Sequence, residues 1–179
     1  RFIHEQILDL TAEQKQKLFA YLQRNALPEN ESYLYDYFYD NCSTKIRDVL
    51  LAALGSDVSF DETHVTTNYT IRELTDFYLD EQPWGDLGID ICLGLPMDKK
   101  AEPLEYMFLP DYVESAFDHA KINQNGTQVP LVKEKRTTYE AREESRNRSL
   151  LHPLHVFSFF AFVTMVVTIF DFKRRKASN

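Results

Sequence analysis

Hydrophobic positions recur along this chain in three rhythms, and each rhythm predicts a different element. At helical spacing, Leu18, Tyr21 and Leu22 follow Thr11 and Gln14, which stand three residues apart as a capping box. That predicts a first helix, ended by Pro28 and Asn30. Ile46, Val49, Leu50 and Leu54 predict a second helix over 45–54, closed by Gly55. A third begins at Thr70, with Glu73 completing its box, and runs to about Gln82 with Leu74, Phe77 and Tyr78 inward. Pro110 and Asp111 open a fourth that runs to about Lys121. The second rhythm is alternation. In the run from Tyr33 to Tyr39 every other residue is tyrosine, which predicts a strand with Tyr33, Tyr35, Tyr37 and Tyr39 on one face. The glycine-rich apolar stretch Trp84–Pro96 is expected to be a turn and a short buried segment. The mixed-sign stretch Thr137–Arg148 is expected to be a helix leading towards a membrane.

The third rhythm is continuous. Ser149 to Phe170 holds no Asp, Glu, Lys or Arg. A stretch of about 20 apolar residues, at about 1.5 Å each, spans a hydrocarbon layer of about 30 Å. Lys173, Arg174, Arg175 and Lys176 follow immediately, so the positive-inside rule places the tail in the cytoplasm and the preceding domain in the periplasm. The expected organisation is a periplasmic domain over residues 1–132, a charged juxtamembrane linker over 133–149, a transmembrane helix over 150–172 and a basic cytoplasmic tail over 173–179. Inner-membrane lipid is then the first expected partner.

Charge narrows the function further. The formal net charge is −8, and the residues before Leu151 alone carry −11. Such a surface repels nucleic acid, so no nucleic-acid partner is expected. The glycines between Trp84 and Pro96 do not form a nucleotide-binding pattern, and no helix carries a histidine pair four residues apart. No cofactor and no metal site is expected. The two cysteines, Cys42 and Cys92, leave three readings open: a disulfide, two inert thiols, or one reactive thiol.

Cys42 is the informative one. It sits where the tyrosine run meets the second helix, with Asp40 or Asn41 as N-cap. Free backbone N–H groups and the positive end of the helix dipole favour a thiolate at such a place. The same N–H groups can hold an oxyanion while a thiolate attacks an ester or amide carbonyl. Cys42 is the candidate nucleophile, with Asn41, Ser43 and Thr44 in support. Tyr35, Tyr37 and Tyr39 either line a pocket for an acyl chain or glyceryl group or pack against neighbouring helices. His4, His64 and His119 read as ordinary polar residues.

The run Tyr35–Val49, with Asn-Cys-Ser-Thr at its centre, resembles the central motif of the Lnb N-terminal periplasmic domain family of bacteria. Arg1–Leu10, Gly88–Pro96 and Phe108–Pro110 resemble other parts of that family, so the likeness extends over most of residues 1–132. It implies an α+β fold, part of a permuted papain-like (NlpC or lecithin:retinol acyltransferase-like) fold with several helices, followed by the transmembrane helix. It also implies a thiol acyltransferase that moves an acyl chain from a glyceryl group to the N-terminal amine of a bacterial lipoprotein. In those related groups the catalytic histidine lies on a strand ahead of the cysteine. Only His4 precedes Cys42, so the base is expected upstream of Arg1 and this chain is expected to be a C-terminal part of the domain. Two other readings remain: a cysteine amidase or peptidase acting on cell-wall peptide, and a non-catalytic membrane-anchored assembly subunit.

Overall fold

The computed structural model describes residues 2–140 and 152–177, and its secondary structure is α+β. The described residues divide into two compact units. The first takes in the chain up to Tyr69 and again from Lys100 to the end of the last strand. The second takes in Thr70–Lys99 and the C-terminal helix.

In the first unit, β1 (Phe2–Leu8) pairs antiparallel with β5 (Val132–Glu140). Register shifts between Ile3 and His4 and between Ile7 and Leu8 twist this ribbon. The charged stretch read as a linker and helix therefore starts as strand: residues 133–140 lie in β5. Residues 141–149 lie outside the described residues. A second sheet has the order β2 (Val58–Ser59), β3 (Lys121–Gln124), β4 (Thr127–Pro130), all antiparallel. Asn125 and Gly126, both at positive φ, make the tight turn between β3 and β4.

The helices of this unit are α1 (Ala12–Asn25), α2 (Cys42–Leu54) and α5 (Pro110–His119). The capping box of Thr11 and Gln14 is formed as expected. Gln14 is buried, and its Nε2 also donates to the Asn123 carbonyl at 2.8 Å, which ties the start of α1 to β3. The core gathers Leu50 and Leu54 of α2, Val113 and Phe117 of α5, Ile122 of β3, and Met107 and Leu131. Each such side chain contributes about 1.5–3 kcal/mol by leaving water. Ile46 belongs to the same helical stripe but is half exposed, and Leu22 of α1 also faces solvent. Tyr106 is fully buried, so its hydroxyl needs partners: it accepts from the Tyr69 N–H at 2.8 Å and donates to the Thr67 carbonyl at 3.1 Å.

In the second unit, α3 (Ile71–Leu79) begins at the expected capping box of Thr70 and Glu73. Ile71 and Leu74 are buried, whereas Phe77 and Tyr78, expected inward, are exposed. The Trp84–Pro96 stretch departs from expectation. It is not a turn with a buried segment but an α-helix, α4 (Pro83–Leu93), with no buried residue. Pro83 at its first turn presets the helical backbone, and Gly94 at φ 60 ends it. Arg72 holds α4 to α3: its guanidinium bonds Asp90, Asp98 at 2.7 Å and the Gly94 carbonyl at 3.0 Å.

The last helix, α6 (Pro153–Ala177), contains an apolar span from Pro153 to Arg175 whose most apolar window has a mean hydropathy of 2.0 and is 6% buried. It is long and apolar enough to cross a membrane. Two of its hydroxyls are satisfied within the helix: Thr164 donates to the Phe160 carbonyl at 2.8 Å and Thr168 to the Thr164 carbonyl at 2.7 Å.

Candidate functional site

The approach to Cys42 is a tight loop, not the expected strand. Asp36 Oδ1 accepts from the N–H groups of Phe38 and Tyr39, both at 2.9 Å. Asp36 and Asp40 then exchange two backbone hydrogen bonds at 3.1 Å. An aspartate that captures the backbone ahead of it competes directly with a strand ladder. The alternation of tyrosines is thereby broken. Tyr33, Tyr35, Tyr37 and Tyr39 are all exposed, and Phe38 between them is buried, edge-on to Phe108 at 5.5 Å. Partial desolvation pushes the Tyr35 phenol up from its ordinary pKa.

Asn41 decides the N-terminus of α2. Its side chain is buried, 6% exposed, and every polar atom on it has work to do. Oδ1 accepts from the N–H groups of Ser43 at 2.8 Å and Thr44 at 2.9 Å. Nδ2 donates to the carbonyls of Tyr37 and Phe108, both at 2.9 Å. Its own N–H donates to Thr44 Oγ1 at 2.9 Å, closing the capping box. Of the two N-caps that the sequence permits, Asn41 is the one used. Asp40 instead pairs with Lys45 at 2.5 Å, and Lys45 Nζ lies 4.4 Å from the centre of the Tyr33 ring. That ion pair raises the Lys45 pKa above its ordinary value.

Cys42 follows as the first residue of α2, exposed and free; Cys92 is also exposed and free. The cap has a consequence for chemistry. The Ser43 and Thr44 N–H groups are already donated to Asn41, so among the described residues the Cys42 N–H is the first-turn donor left for a ligand oxygen.

Beside α2 lies an open groove of about 950 Å³, lined by Ile3, Leu8, Tyr139, Val113, Phe117 and Ile46 among others. Ile46 stands one turn after Cys42, so the two side chains share a face of the helix. His4 and Glu114 also line the groove, with His4 Nδ1 3.0 Å from the Glu114 carboxylate. Lys135 first, and His4 after it, hold the Glu114 carboxyl below its usual range. His4 thus sits on a strand ahead of Cys42 and faces a carboxylate. His64 pins a loop, with Nδ1 2.6 Å from the Asp61 carbonyl and Nε2 3.1 Å from that of Pro103. His119 Nδ1 lies 2.8 Å from the Ser115 carbonyl.

One group of polar residues escaped the sequence reading. Carboxylate oxygens of Asp76, Asp86 and Asp90 lie within 4.8 Å of one another in the second unit. Burial first, then the charges of Asp86 and Asp90, raise the Asp76 pKa from 3.8 to about 6. The spacing of Asp86 and Asp90 on a helix was a usable signal only once α4 was known to be a helix.

No curated protein and no solved structure matches the chain. The matched family segment covers residues 1–76, from β1 through α1, the tyrosine loop and Cys42 into α3, and stops before Gly88–Pro96 and Phe108–Pro110. A periplasmic domain family at one end and a membrane-length apolar helix at the other describe a membrane-anchored periplasmic protein. The family model that matches residues 1–76 is that of the Lnb N-terminal periplasmic domain, so this segment is similar to that family.

Proposed function

We propose that this protein is a membrane-anchored thiol acyltransferase whose nucleophile is Cys42. The observation that carries the reading is the exposed, unpaired thiol at the first position of a capped helix, inside the segment matched by the family. The groove on the Ile46 side of α2 suits an acyl chain, being apolar along one wall and open to the surface. In the first step the Cys42 sulfur attacks the carbonyl carbon of a glyceryl ester. The sulfur–carbon bond forms, the ester carbon–oxygen bond breaks, and the glyceryl oxygen takes the proton that a base removed from the thiol. In the second step a lipoprotein's N-terminal amine attacks the thioester, and the thiol is restored.

Asn41 is a positioning residue here: it fixes the turn that presents Cys42. The oxyanion rests on the Cys42 N–H, since those of Ser43 and Thr44 are committed to the cap. The base that takes the thiol proton is a histidine in the permuted papain-like groups that the family resembles, and His4, paired with Glu114, is not assigned that role. The basic tail after the apolar helix favours the cytoplasm, which supports a periplasmic position for the groove.

The test is acyl capture by the full chain in detergent, given a diacylglyceryl donor with a labelled fatty acid. Label should remain on the protein as a hydroxylamine-sensitive thioester and disappear in Cys42→Ala. Equal labelling of Cys42→Ala sinks the mechanism. Release of peptide from a cell-wall digest that depends on Cys42 would replace acyl transfer with amidase chemistry.

A further inference from the structure

α4 is an unusual helix for a water-facing surface. Two of its exposed apolar side chains fall on one line, Trp84 at 45% exposure and Ile91 at 73%, and Leu95, just beyond its end, is 84% exposed. Gly88 sits between Trp84 and Ile91, and the spacing of four and three residues marks a single helical face. No charge interrupts that face. Asp86 and Asp90 lie on the opposite side, where Arg72 of α3 bonds Asp90.

The same helix packs against α6, and the Trp84 ring meets that of Phe157 at 6.1 Å, centre to centre. Phe157 is about one turn inside the start of the membrane-length helix, a depth of about 6 Å at 1.5 Å per residue. Trp84 is therefore held at the level where a spanning helix enters the bilayer, and tryptophan favours that level.

We infer that α4 lies flat in the outer interface of the membrane, with Trp84, Ile91 and Leu95 in the lipid and the Asp86 and Asp90 side towards water. The occupant of the stripe is lipid because Trp84, at one end of it, meets the exposed Phe157 of the membrane-length helix. An amphipathic helix of this kind sinks about 5–10 Å into the boundary between headgroups and acyl chains. The polar side of α4 is acidic, so the contact rests on apolar burial and gains nothing from anionic lipid. This inference rests on the membrane reading of α6, and it does not depend on the acyltransferase reading.

Two native reporters test it. Trp84 is the single tryptophan of the chain, and in a Cys42→Ala chain Cys92 is the single thiol. The full chain is reconstituted in phosphatidylcholine vesicles, with brominated phosphatidylcholine for fluorescence and a nitroxide on Cys92 for accessibility. Bromines near the glycerol end should quench Trp84 most, and the Cys92 nitroxide should be relaxed by oxygen more than by a water-soluble nickel chelate. Cys92 lies about 12 Å along the helix from Trp84, so it reports on α4 itself and not on its junction with α6. Ile91→Asp with Leu95→Asp should turn the nitroxide over to the nickel chelate while α6 still resists alkaline extraction. Nickel access to Cys92 in the unaltered stripe, with α6 still resistant, overturns the inference and leaves the anchor standing. Release of the chain by alkali overturns both. Shielding of Cys92 that grows with the protein-to-lipid ratio assigns the stripe to a second copy and also overturns the inference.

Discussion

The starts of α2 and α4 are built in opposite ways. At α2, Asn41 uses its donor and acceptor atoms to fix four neighbours, and only Cys42 is left facing outward. At α4, Gln82 makes no side-chain cap, Pro83 starts the helix by its fixed backbone angle, and a whole apolar face stays open. One end is specified by hydrogen bonds, which tolerate errors of a few tenths of an ångström. The other is specified by where oily surface goes, which tolerates much more. Chemistry at a single atom needs the first kind of construction, and adhesion to a fluid surface needs only the second.

The largest blow to this contrast falls on the hydrogen-bonded end. Asn41→Ala should cost about 2–4 kcal/mol, combining about 1 kcal/mol for a lost cap with about 1–3 kcal/mol for a buried Phe108 carbonyl left unpaired. Urea denaturation of the full chain in detergent reads it. A loss under about 0.5 kcal/mol, the size typical of an ordinary surface change, would mean that the cap is not what holds this turn.

Tyr106→Phe comes next, at about 1–3 kcal/mol, because the Tyr69 N–H would lose its buried acceptor. The same denaturation series measures it, and the Cys42 labelling rate should stay unchanged.

The carboxylates behind α4 give a smaller effect with a definite sign. Asp76 is raised from 3.8 to about 6, so the folded chain holds this proton more tightly than the unfolded one. The stability it contributes is fully present below 3.8 and is lost as pH rises through about 6. Asp76→Asn should flatten that decline and raise the melting temperature at neutral pH. Arg72→Met should steepen the decline, because Arg72 is the group that lowers the Asp76 pKa. A melting curve series across pH that is the same in all three proteins would remove the carboxylate repulsion from the account.

The smallest effect is expected at Ile91. Ile91→Asp should alter stability in detergent by no more than about 0.5 kcal/mol, since the side chain already faces outward. A much larger loss in a circular-dichroism melt would show that α4 is specified by packing after all, and the contrast with α2 would fail.

What the sequence made legible was local. Thr11 with Gln14 and Thr70 with Glu73 reach only three residues, and both capping boxes form as read. Gly55 and Pro110 likewise mark the helix boundaries at which they stand. The exposed Cys42 at a helix start was readable for the same reason. The Tyr33–Tyr39 run misled because periodicity ignores Asp36, whose side chain takes the backbone donors that a strand needs. Trp84–Pro96 misled because apolar residues with glycine read as buried in water, whereas here they form an exposed stripe beside a membrane-length helix. The Asn125–Gly126 pair is a hairpin signal in its own right, and it makes the turn between β3 and β4. No local pattern names the partner of β1, because that partner begins at Val132.

That last pairing bears on how the protein is made. β1 meets residues that leave the ribosome more than a hundred peptide bonds later, so the ribbon cannot close until translation has passed Glu140. Closing so large a loop is slow compared with forming a helix. By the time the two strands can meet, the apolar stretch that begins at Pro153 is next to emerge. Completion of the domain and arrival of its anchor are thus tied to the same stage of synthesis, and the order is written into the distance between two strands.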